Sequence, residues 1–236
     1  GPNQAQGMST DLPLANPARV LAWNTDKRYL RELAAQGVAI PPTVFVDALS
    51  QAAVEQAFAD SGADELIAKP AISGGAWKTR RLRRGDVIDA MEPMPMLLQP
   101  YLPAIETAGE TSLLYFGGVF SHAVTKRPVS GEFRIQEEFG GIYELLATPP
   151  AGAAALAEQV LAAVGEPLLY ARIDMVPDRD GRWLLEQVEA MADDVKPGKS
   201  TSFPQAVKLQ AGETVFFSWI TFRSRRHRDA VNAKVM

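Results

Sequence analysis

The sequence predicts an α+β protein in which antiparallel hairpins and helices follow one another. Residues 112–126 alternate apolar and polar side chains around Gly117–Gly118, a pair typical of a tight hairpin turn. Residues 168–190 repeat this arrangement, with two apolar stretches flanking a turn rich in aspartate and glycine. Apolar residues recur at helical spacing in 50–61 and 152–164. With 236 residues, one large domain or two small ones is expected.

The composition is that of an ordinary soluble protein, with 47% apolar and 22% charged residues. The net charge of −4 gives no reason to expect nucleic acid, and the arginine clusters at 80–84 and 223–228 are local. Because cysteine is absent and only two histidines occur, disulfides and thiolate or histidine zinc sites are not expected. No apolar run has transmembrane length and no signal peptide is visible, so we expect a cytoplasmic protein without membrane contact.

The N-terminal part begins with residues that we exclude from the fold. Residues 1–16 are interpreted as a tag and an extended leader. Asn24 or Thr25 is a plausible N-cap for a helix that runs to about Gln36. Lys27 lies in the first turn of this helix, where a lysine is usually simply exposed to solvent.

A strand that ends in lysine precedes a loop of small residues. Lys69 closes this strand, and the loop contains Ser73, Gly74 and Gly75. Small residues let the backbone approach a ligand, and successive N–H groups bind anions. A tight hairpin is the commoner explanation of a glycine pair, but the preceding lysine favours phosphate binding.

The chain is organised around residues 97–141, which contain the first hairpin. Its returning strand places Lys126 on the same face as His122 and Val124, because side chains alternate with period two. The segment would bring four polar side chains to one cleft: Gln99, Glu110, Lys126 and Arg134. On residue type alone, such a lysine and arginine are solvated surface residues by about two to one.

The second hairpin carries oxygen ligands on both arms. Asp174 lies on the first arm, and Glu186, Gln187 and Glu189 lie on the second. Oxygen atoms that face one another across paired strands are the ligands preferred by a hard divalent cation such as Mg²⁺. The alternative is a solvated acidic edge, which is less favoured because both strands have the apolar character of buried strands.

Taken together, these motifs make the chain resemble the ATP-grasp superfamily, and in particular glutathione-synthetase-like and cycloserine-biosynthesis-type ligases. The likeness covers roughly residues 16–190 and rests on the segments Trp23–Leu30, Gly109–Leu113, Ser121–Val124, Lys126–Pro128 and Tyr170–Asp174. It implies two α+β subdomains that enclose a nucleotide, with the family's usual N-terminal domain largely absent. The implied divisions are a linker helix at 17–42, a small subdomain with the glycine loop at 43–98, a large subdomain with the metal hairpin at 99–190, and a divergent tail at 191–236.

The resemblance also implies roles for individual residues. The implied phosphate contacts and the mobile loop above them are Lys27, Lys69, Ser73, Gly74 and Gly75. The implied adenine and ribose contacts are Gln99, Tyr101, Leu102, Glu106 and Glu110. The implied catalytic, charge-neutralising residues are Lys126, Arg134 and Arg172. The implied Mg²⁺ ligands are Asp174, Gln187 and Glu189. Enzymes of this type activate a carboxylate with ATP and need positioning and charge stabilisation rather than a protein nucleophile.

Three departures from the family pattern shape these expectations. Almost nothing precedes the Trp23 region, so we expect either a truncated sequence, or a reduced architecture, or a second copy or partner that supplies the missing N-terminal domain. Counting from Gly181 places the two ligands of the metal strand at Gln187 and Glu189, whereas a one-residue shift would place them at 186 and 188. In the first register an amide replaces a glutamate, which weakens Mg²⁺ binding. Residues 191–236 do not continue the pattern, and 212–222 favour a strand.

Two functions from different classes are compatible with this sequence. The first is an ATP-dependent carboxylate–amine ligase that acts on small molecules and forms an amide through an acyl phosphate. The alternative is an inactive ATP-binding module, or a partner-binding protein, on the same scaffold. Gln187, the missing first domain and the divergent tail favour the alternative.

Overall fold

The computed structural model describes residues 16–74, 76–88, 93–136 and 139–190, and within them the predicted α+β fold is confirmed. The described N-terminal elements are α1 (Ala18–Asn24), α2 (Tyr29–Ala35), β1 (Val44–Val46), α3 (Gln51–Ser61), β2 (Glu65–Pro70), β3 (Arg80–Arg83) and β4 (Met96–Pro100). The described later elements are α4 (Ala104–Thr107), β5 (Glu110–Phe116), β6 (Val119–Arg127), β7 (Ile142–Leu146), α5 (Ala153–Val164), β8 (Tyr170–Pro177) and β9 (Trp183–Glu189).

The first sheet is small and antiparallel, with the strand order β1-β4-β2-β3. Helix α3 covers one face and buries Val54 and Phe58 against Leu66 and other apolar residues of the strands. Its ends follow local sequence signals, because the Ser50 side chain accepts the N–H of Ala53 and Gly62 ends the helix with a φ of 63°. The sheet therefore presents the end of β2, with its lysine, on a rigid support.

The second sheet has five antiparallel strands in the order β7-β6-β5-β8-β9. Alternate residues of its strands pack against helices α2 and α5 and form the larger core, which includes Leu113, Ile173, Met175, Leu30 and Leu156. The residues between them point to the opposite face, because side chains alternate across a strand. That opposite face carries the charged residues described in the next section.

The hairpin between β5 and β6 forms as predicted. Gly117 and Gly118 have φ values of 58° and 76°. Positive φ at both central residues is typical of a two-residue hairpin turn, and glycine adopts it without strain. None of the described helices has the length and hydrophobicity needed to cross a membrane. The strand predicted at 212–222 lies outside the described residues, and the divisions expected between the linker helix, the subdomains and the tail stay predictions.

The single helix predicted from Asn24 or Thr25 to about Gln36 is wrong. Asn24 ends α1, and a turn at residues 25–28 separates it from α2. The Asn24 side chain does not cap a helix, because its amide bonds to the backbone of Val188 and Ala190 instead. Tertiary hydrogen bonds therefore override the local capping signal.

Candidate functional site

The two sheets meet where Lys69, on β2, forms an ion pair with Glu186, on β9. Burial by itself would raise the pKa of Glu186, but the charge and hydrogen bond of Lys69 outweigh burial and hold that pKa below its ordinary value. The charge of Lys27 acts in the same direction. Two lysines from distant parts of the chain therefore lie close to one carboxylate of β9.

Lys27 is held beside the loop that follows β2. Its backbone N–H donates to the carbonyl of Ala71 over 2.8 Å, and its Nζ donates to the carbonyl of Ser73 over 2.6 Å. Gly74 is not forced by space, since a Cβ there would meet nothing within 4 Å, and Gly75 lies outside the described residues. Lys27, for which solvent exposure was the alternative to phosphate binding, is thus buried against the loop, with 6% of its surface accessible.

A β-bulge in β9 sets the register of the second hairpin. Asp174 pairs with Gln187 and Arg172 with Glu189, but Met175 pairs with Leu185, which leaves Glu186 as the extra residue. Val188 pairs with Ile173 and lies in the core. The shifted register that would put Val188 in the site is therefore wrong, although the bulge still lets Glu186 reach Lys69.

Four charged side chains lie together on the polar face of the second sheet, of which Glu110 and Asp174 are buried and Lys126 and Arg172 are partly buried. Lys126 Nζ donates to Glu110 Oε1 over 3.1 Å and lies 3.7 Å from Asp174 Oδ1. Arg172 donates to both carboxylate oxygens of Asp174 over 2.9 Å. The Ser112 hydroxyl donates to the same carboxylate over 2.5 Å. We call Glu110, Lys126, Arg172 and Asp174 the central cluster.

The central cluster has an unusual protonation pattern. Burial would raise the pKa of Asp174, but Arg172 and Lys126 outweigh it and hold this pKa at about 2. Burial would lower the pKa of Lys126, but Asp174 and Glu110 outweigh it and raise this pKa. For Glu110, burial dominates and raises the pKa to about 7, because the charges of Asp174 and Glu186 oppose that of Lys126. Burial therefore keeps the proton on Glu110 to a higher pH than on an exposed glutamate.

Gly109 allows β5 to begin beside β6. Its φ is +81°, and a Cβ at this position would lie 2.7 Å from the carbonyl oxygen of Lys126. Any other residue would push Glu110 away from its lysine partner. The glycine that precedes Glu110 is thus required by the site.

The residues predicted to meet adenine and ribose lie at the end of β4. Gln99 is buried and donates to the Thr43 hydroxyl over 2.9 Å. The Tyr101 hydroxyl donates to Glu106 over 2.5 Å, and the guanidinium of Arg81 lies 3.8 Å from the Tyr101 ring centroid. Leu102 is half-buried beside them. Glu106 therefore bonds to Tyr101 and Arg81 just after the end of β4, separately from the central cluster.

Sequence reasoning did not single out Arg81, although the arginine cluster at 80–84 was a signal for it. Arg134, by contrast, was expected in the cleft with Gln99, Glu110 and Lys126. It bonds to Glu132 over 2.6 Å and lies 3.6 Å from the Phe139 ring centroid. The hydrogen bond from Arg134 is the main reason why the pKa of Glu132 falls to about 2. The structure thus brings Glu110 and Lys126 together and gives Gln99 and Arg134 other partners.

The donor set suits magnesium but does not form a closed metal site. Asp174 offers a buried carboxylate and Glu186 a partly buried one, and Gln187 donates its amide N–H to Glu189 over 3.1 Å. Hard oxygen donors of this kind fit Mg²⁺, which commonly takes its remaining ligands from water and phosphate. Among the described residues, no three histidine, aspartate or glutamate side chains converge as a ligand cluster.

Comparisons with known proteins divide the chain into two parts. The cycloserine biosynthesis protein DcsG of Streptomyces lavendulae is 31% identical over 194 residues, which cover 75% of this chain and 64% of that protein. Residues 181–236 match a different family, described as a protein of unknown function (DUF1428). The uncharacterized protein YbaA of Escherichia coli strain K12 is 50% identical over 52 residues, which cover 22% of this chain and 44% of YbaA. The DUF1428 match begins just before β9 and covers residues 191–236, the tail that was predicted to be divergent.

Solved structures show the same fold as the described residues. The crystal structure of D-cycloserine synthetase DcsG superposes with a TM-score of 0.63 and 28% identity, over 75% of this chain and 65% of that one. The ATP-grasp ligase PsnB, in complex with a precursor variant, Mg and ADP, gives a TM-score of 0.56 at 19% identity, over 76% of this chain and 54% of that one. The chain thus spans between 44% and 65% of the length of these relatives, and a little under two thirds of DcsG.

Proposed function

We propose that the described part of this chain, which belongs to the ATP-grasp superfamily, is an ATP-dependent ligase that joins a small-molecule carboxylate to an amine. The observation that carries the proposal is the meeting of Lys27, Lys69 and Glu186 at the junction of the two sheets, next to the central cluster. Cations from both sheets that surround buried carboxylates are what a nucleotide triphosphate with a divalent cation requires.

The residues have complementary tasks in this proposal. Lys27 and Lys69 hold the phosphates, and Lys126 and Arg172 stabilise the charge that develops during phosphoryl transfer. ATP supplies the phosphoryl group that turns the substrate carboxylate into an acyl phosphate, from which the amine displaces phosphate. Because Lys126 and Arg172 are partly buried and already oriented by Glu110 and Asp174, little reorganisation is needed when charge develops.

The remaining assignments follow the same geometry. Asp174, Gln187 and Glu189 would hold Mg²⁺, and Glu186 joins them because the bulge turns it toward Lys69. The end of β4 would meet the base through Gln99, Tyr101 and Leu102, with Glu106 near the ribose. Ser73 and the glycine pair that follows it would cover the phosphates, and Arg134 would move to neutralise charge. A cytoplasmic location, and a second copy or partner that completes the site, stay predictions.

A thermal-shift titration with ATP, with and without Mg²⁺, tests the nucleotide site. A ligand at a hundred times its Kd adds about 2.7 kcal/mol of stability, which such a titration detects. We expect a Mg²⁺-dependent shift in Tm that is lost in Lys69→Ala. The control variant Lys78→Ala, which removes an exposed lysine of the same loop region, should keep it. A carboxylate–amine pair that then releases ADP would identify the substrates. No shift in either condition would contradict the proposal.

A second candidate function is nucleotide binding without ligation. Gln187 lies opposite Asp174, where a carboxylate would bind Mg²⁺ more strongly, and β9 lies inside the stretch that matches another family. The variant Gln187→Glu separates the two functions. A gain in ATP turnover would identify an active scaffold that carries a weakening substitution. Unchanged binding of ATP with no turnover would favour the binding module.

A further inference from the structure

The outer edge of β9 is closed by side chains and by the carbonyl of Ala39, which accepts the N–H of Leu185 over 2.8 Å, rather than by another described strand. β9 is the last strand of the five-stranded sheet, and an uncovered edge leaves backbone groups without partners. The Tyr29 hydroxyl accepts the N–H of Val188 over 2.7 Å and donates to its carbonyl over 3.2 Å. Asn24 donates to the same carbonyl over 2.6 Å and accepts the N–H of Ala190 over 3.0 Å. Two side chains thus imitate a neighbouring strand.

Both side chains come from the segment that holds Lys27. Asn24 ends α1 and Tyr29 begins α2, so the turn between them carries the lysine. Tyr29 is 2% exposed, and its ring centroid lies 4.5 Å from that of Trp23. The segment is therefore attached to β9 on both sides of Lys27, while the lysine itself reaches the Ser73 loop.

The same strand carries the acidic side of the site. Val188 is flanked by Gln187 and Glu189, and the bulge residue Glu186 pairs with Lys69. A shift of β9 along its axis would move these side chains relative to Lys27. Groups that hydrogen-bond to metal-binding residues and orient them usually change the metal affinity about 10- to 100-fold when they are removed.

We propose that Asn24 and Tyr29 are positioning residues that fix the distance between Lys27 and the Mg²⁺ side of the site. They touch no reacting group and act through the backbone of β9. This inference rests on the proposed function, because it assumes that Lys27 binds phosphate and that β9 binds Mg²⁺. The competing explanation is that the two side chains only close the sheet edge and stabilise the fold.

Asn16 offers a matched control for this competing explanation. It donates to the carbonyls of Tyr170 and Ala190, both over 2.7 Å, and accepts the N–H of Leu169 over 2.7 Å. It therefore also ties the ends of β8 and β9, but it lies before α1 and outside the turn that carries Lys27. Asn16→Ala should destabilise the sheet edge without changing the distance between Lys27 and β9.

The experiment measures the affinity of the full chain for ATP with Mg²⁺ and with EDTA, by calorimetry, in wild type, Tyr29→Phe and Asn16→Ala. The Kd in EDTA divided by the Kd with Mg²⁺ reports how strongly Mg²⁺ and the phosphate-binding lysines cooperate. We expect Tyr29→Phe to reduce this ratio about tenfold, with a smaller change in the Kd measured in EDTA. Asn16→Ala should lower Tm and leave the ratio unchanged.

An unchanged ratio in Tyr29→Phe, together with a lower Tm, would overturn the inference and leave the edge-closing role. An equal loss of the ratio in both variants would also overturn it, because the effect would then follow general loosening of the sheet. Failure of the wild-type chain to bind ATP in either condition would instead overturn the proposed function, and the inference with it. Wild-type binding thus separates the two failures.

Discussion

The two faces of the five-stranded sheet are built from alternate residues of the same strands, yet burial stabilises the fold on one face and costs free energy on the other. On β8, Ile173 is fully buried among apolar side chains, while its neighbours Arg172 and Asp174 form an ion pair on the other face. The apolar face stabilises the fold by removing hydrocarbon from water. On the polar face, burial of charge costs free energy that hydrogen bonds and ion pairs only partly offset.

The comparison supports the proposal that the polar face serves function rather than stability. A buried ion pair is weak evidence for stability, because apolar residues of the same volume often stabilise equally well. The retention of buried Glu110 and Asp174 beside the partly buried Lys126 is instead what a site that binds a charged ligand requires. The following variants are designed to break or sharpen this difference, from the largest expected effect to the smallest.

Asp174→Ala should have the largest effect. Removal of this carboxylate leaves Arg172 and Lys126 buried without their common partner, which typically costs about 3–5 kcal/mol. The variant should also lose the Mg²⁺-dependent response to ATP. Urea unfolding and thermal shift with ATP measure the two effects. A stable variant that still responds to Mg²⁺ would show that the polar face is not the site.

Ile173→Ala tests the apolar face one residue away. The cavity left by this fully buried side chain should cost about 2–4 kcal/mol of unfolding free energy. The shift induced by ATP and Mg²⁺, compared at equal distance from each variant's Tm, should stay as in wild type. Loss of the ligand response together with stability would mean that the two faces are not separable.

Glu110→Gln should change how stability depends on pH. Since burial raises the pKa of Glu110 from 4.5 to about 7, the folded state keeps a proton that the unfolded state has released. The contribution of Glu110 to the free energy of unfolding is therefore fullest below about pH 4.5 and falls as the pH rises through 7, by up to about 3 kcal/mol. The glutamine variant should lack this slope. Urea unfolding between pH 5 and 8.5 measures it, and parallel slopes in both proteins would contradict the assignment.

Glu144→Gln should have the smallest effect. Glu144 accepts a 2.9 Å hydrogen bond from Arg127 at the edge of the same sheet, but both side chains are well exposed to solvent. Exposed ion pairs contribute about 0–1 kcal/mol, so unfolding free energy should fall by less than about 1 kcal/mol. A loss of unfolding free energy as large as that of Asp174→Ala would show that burial does not determine how much these two ion pairs contribute.

Local signals predicted the elements well where neighbours in sequence decide the structure. Helix α3 begins after Ser50 and ends at Gly62, and the β5–β6 turn forms at the glycine pair. Period-two alternation placed Lys126 on the same face of β6 as His122 and Val124, whereas its position opposite Glu110 follows from the register of β5 and β6 in the structure. The assignments of Lys27 and Asp174 as site residues stay predictions, although both lie in the charged region between the sheets.

Arg134 shows where reasoning from residue type ends. A basic residue on a late loop was expected to join the cleft, but Glu132, two residues away, holds its guanidinium. The order of residues does not reveal which of several carboxylates an arginine will bind. Distances of a few ångströms between loops decide it, and these depend on the whole fold.

The sequence by itself determined the α+β class, most of the strands, the two hairpins and the charged face of the larger sheet, because these follow from alternation, caps and turn glycines. The tertiary structure alone decided the break between α1 and α2, the bulge at Glu186 and the closure of β9 by Tyr29. Tyr29 and Val188 are 159 residues apart in the chain, so no local pattern could pair them. The physical reason is that buried backbone groups must find hydrogen-bond partners, and the partner is whichever group the folded chain brings within reach.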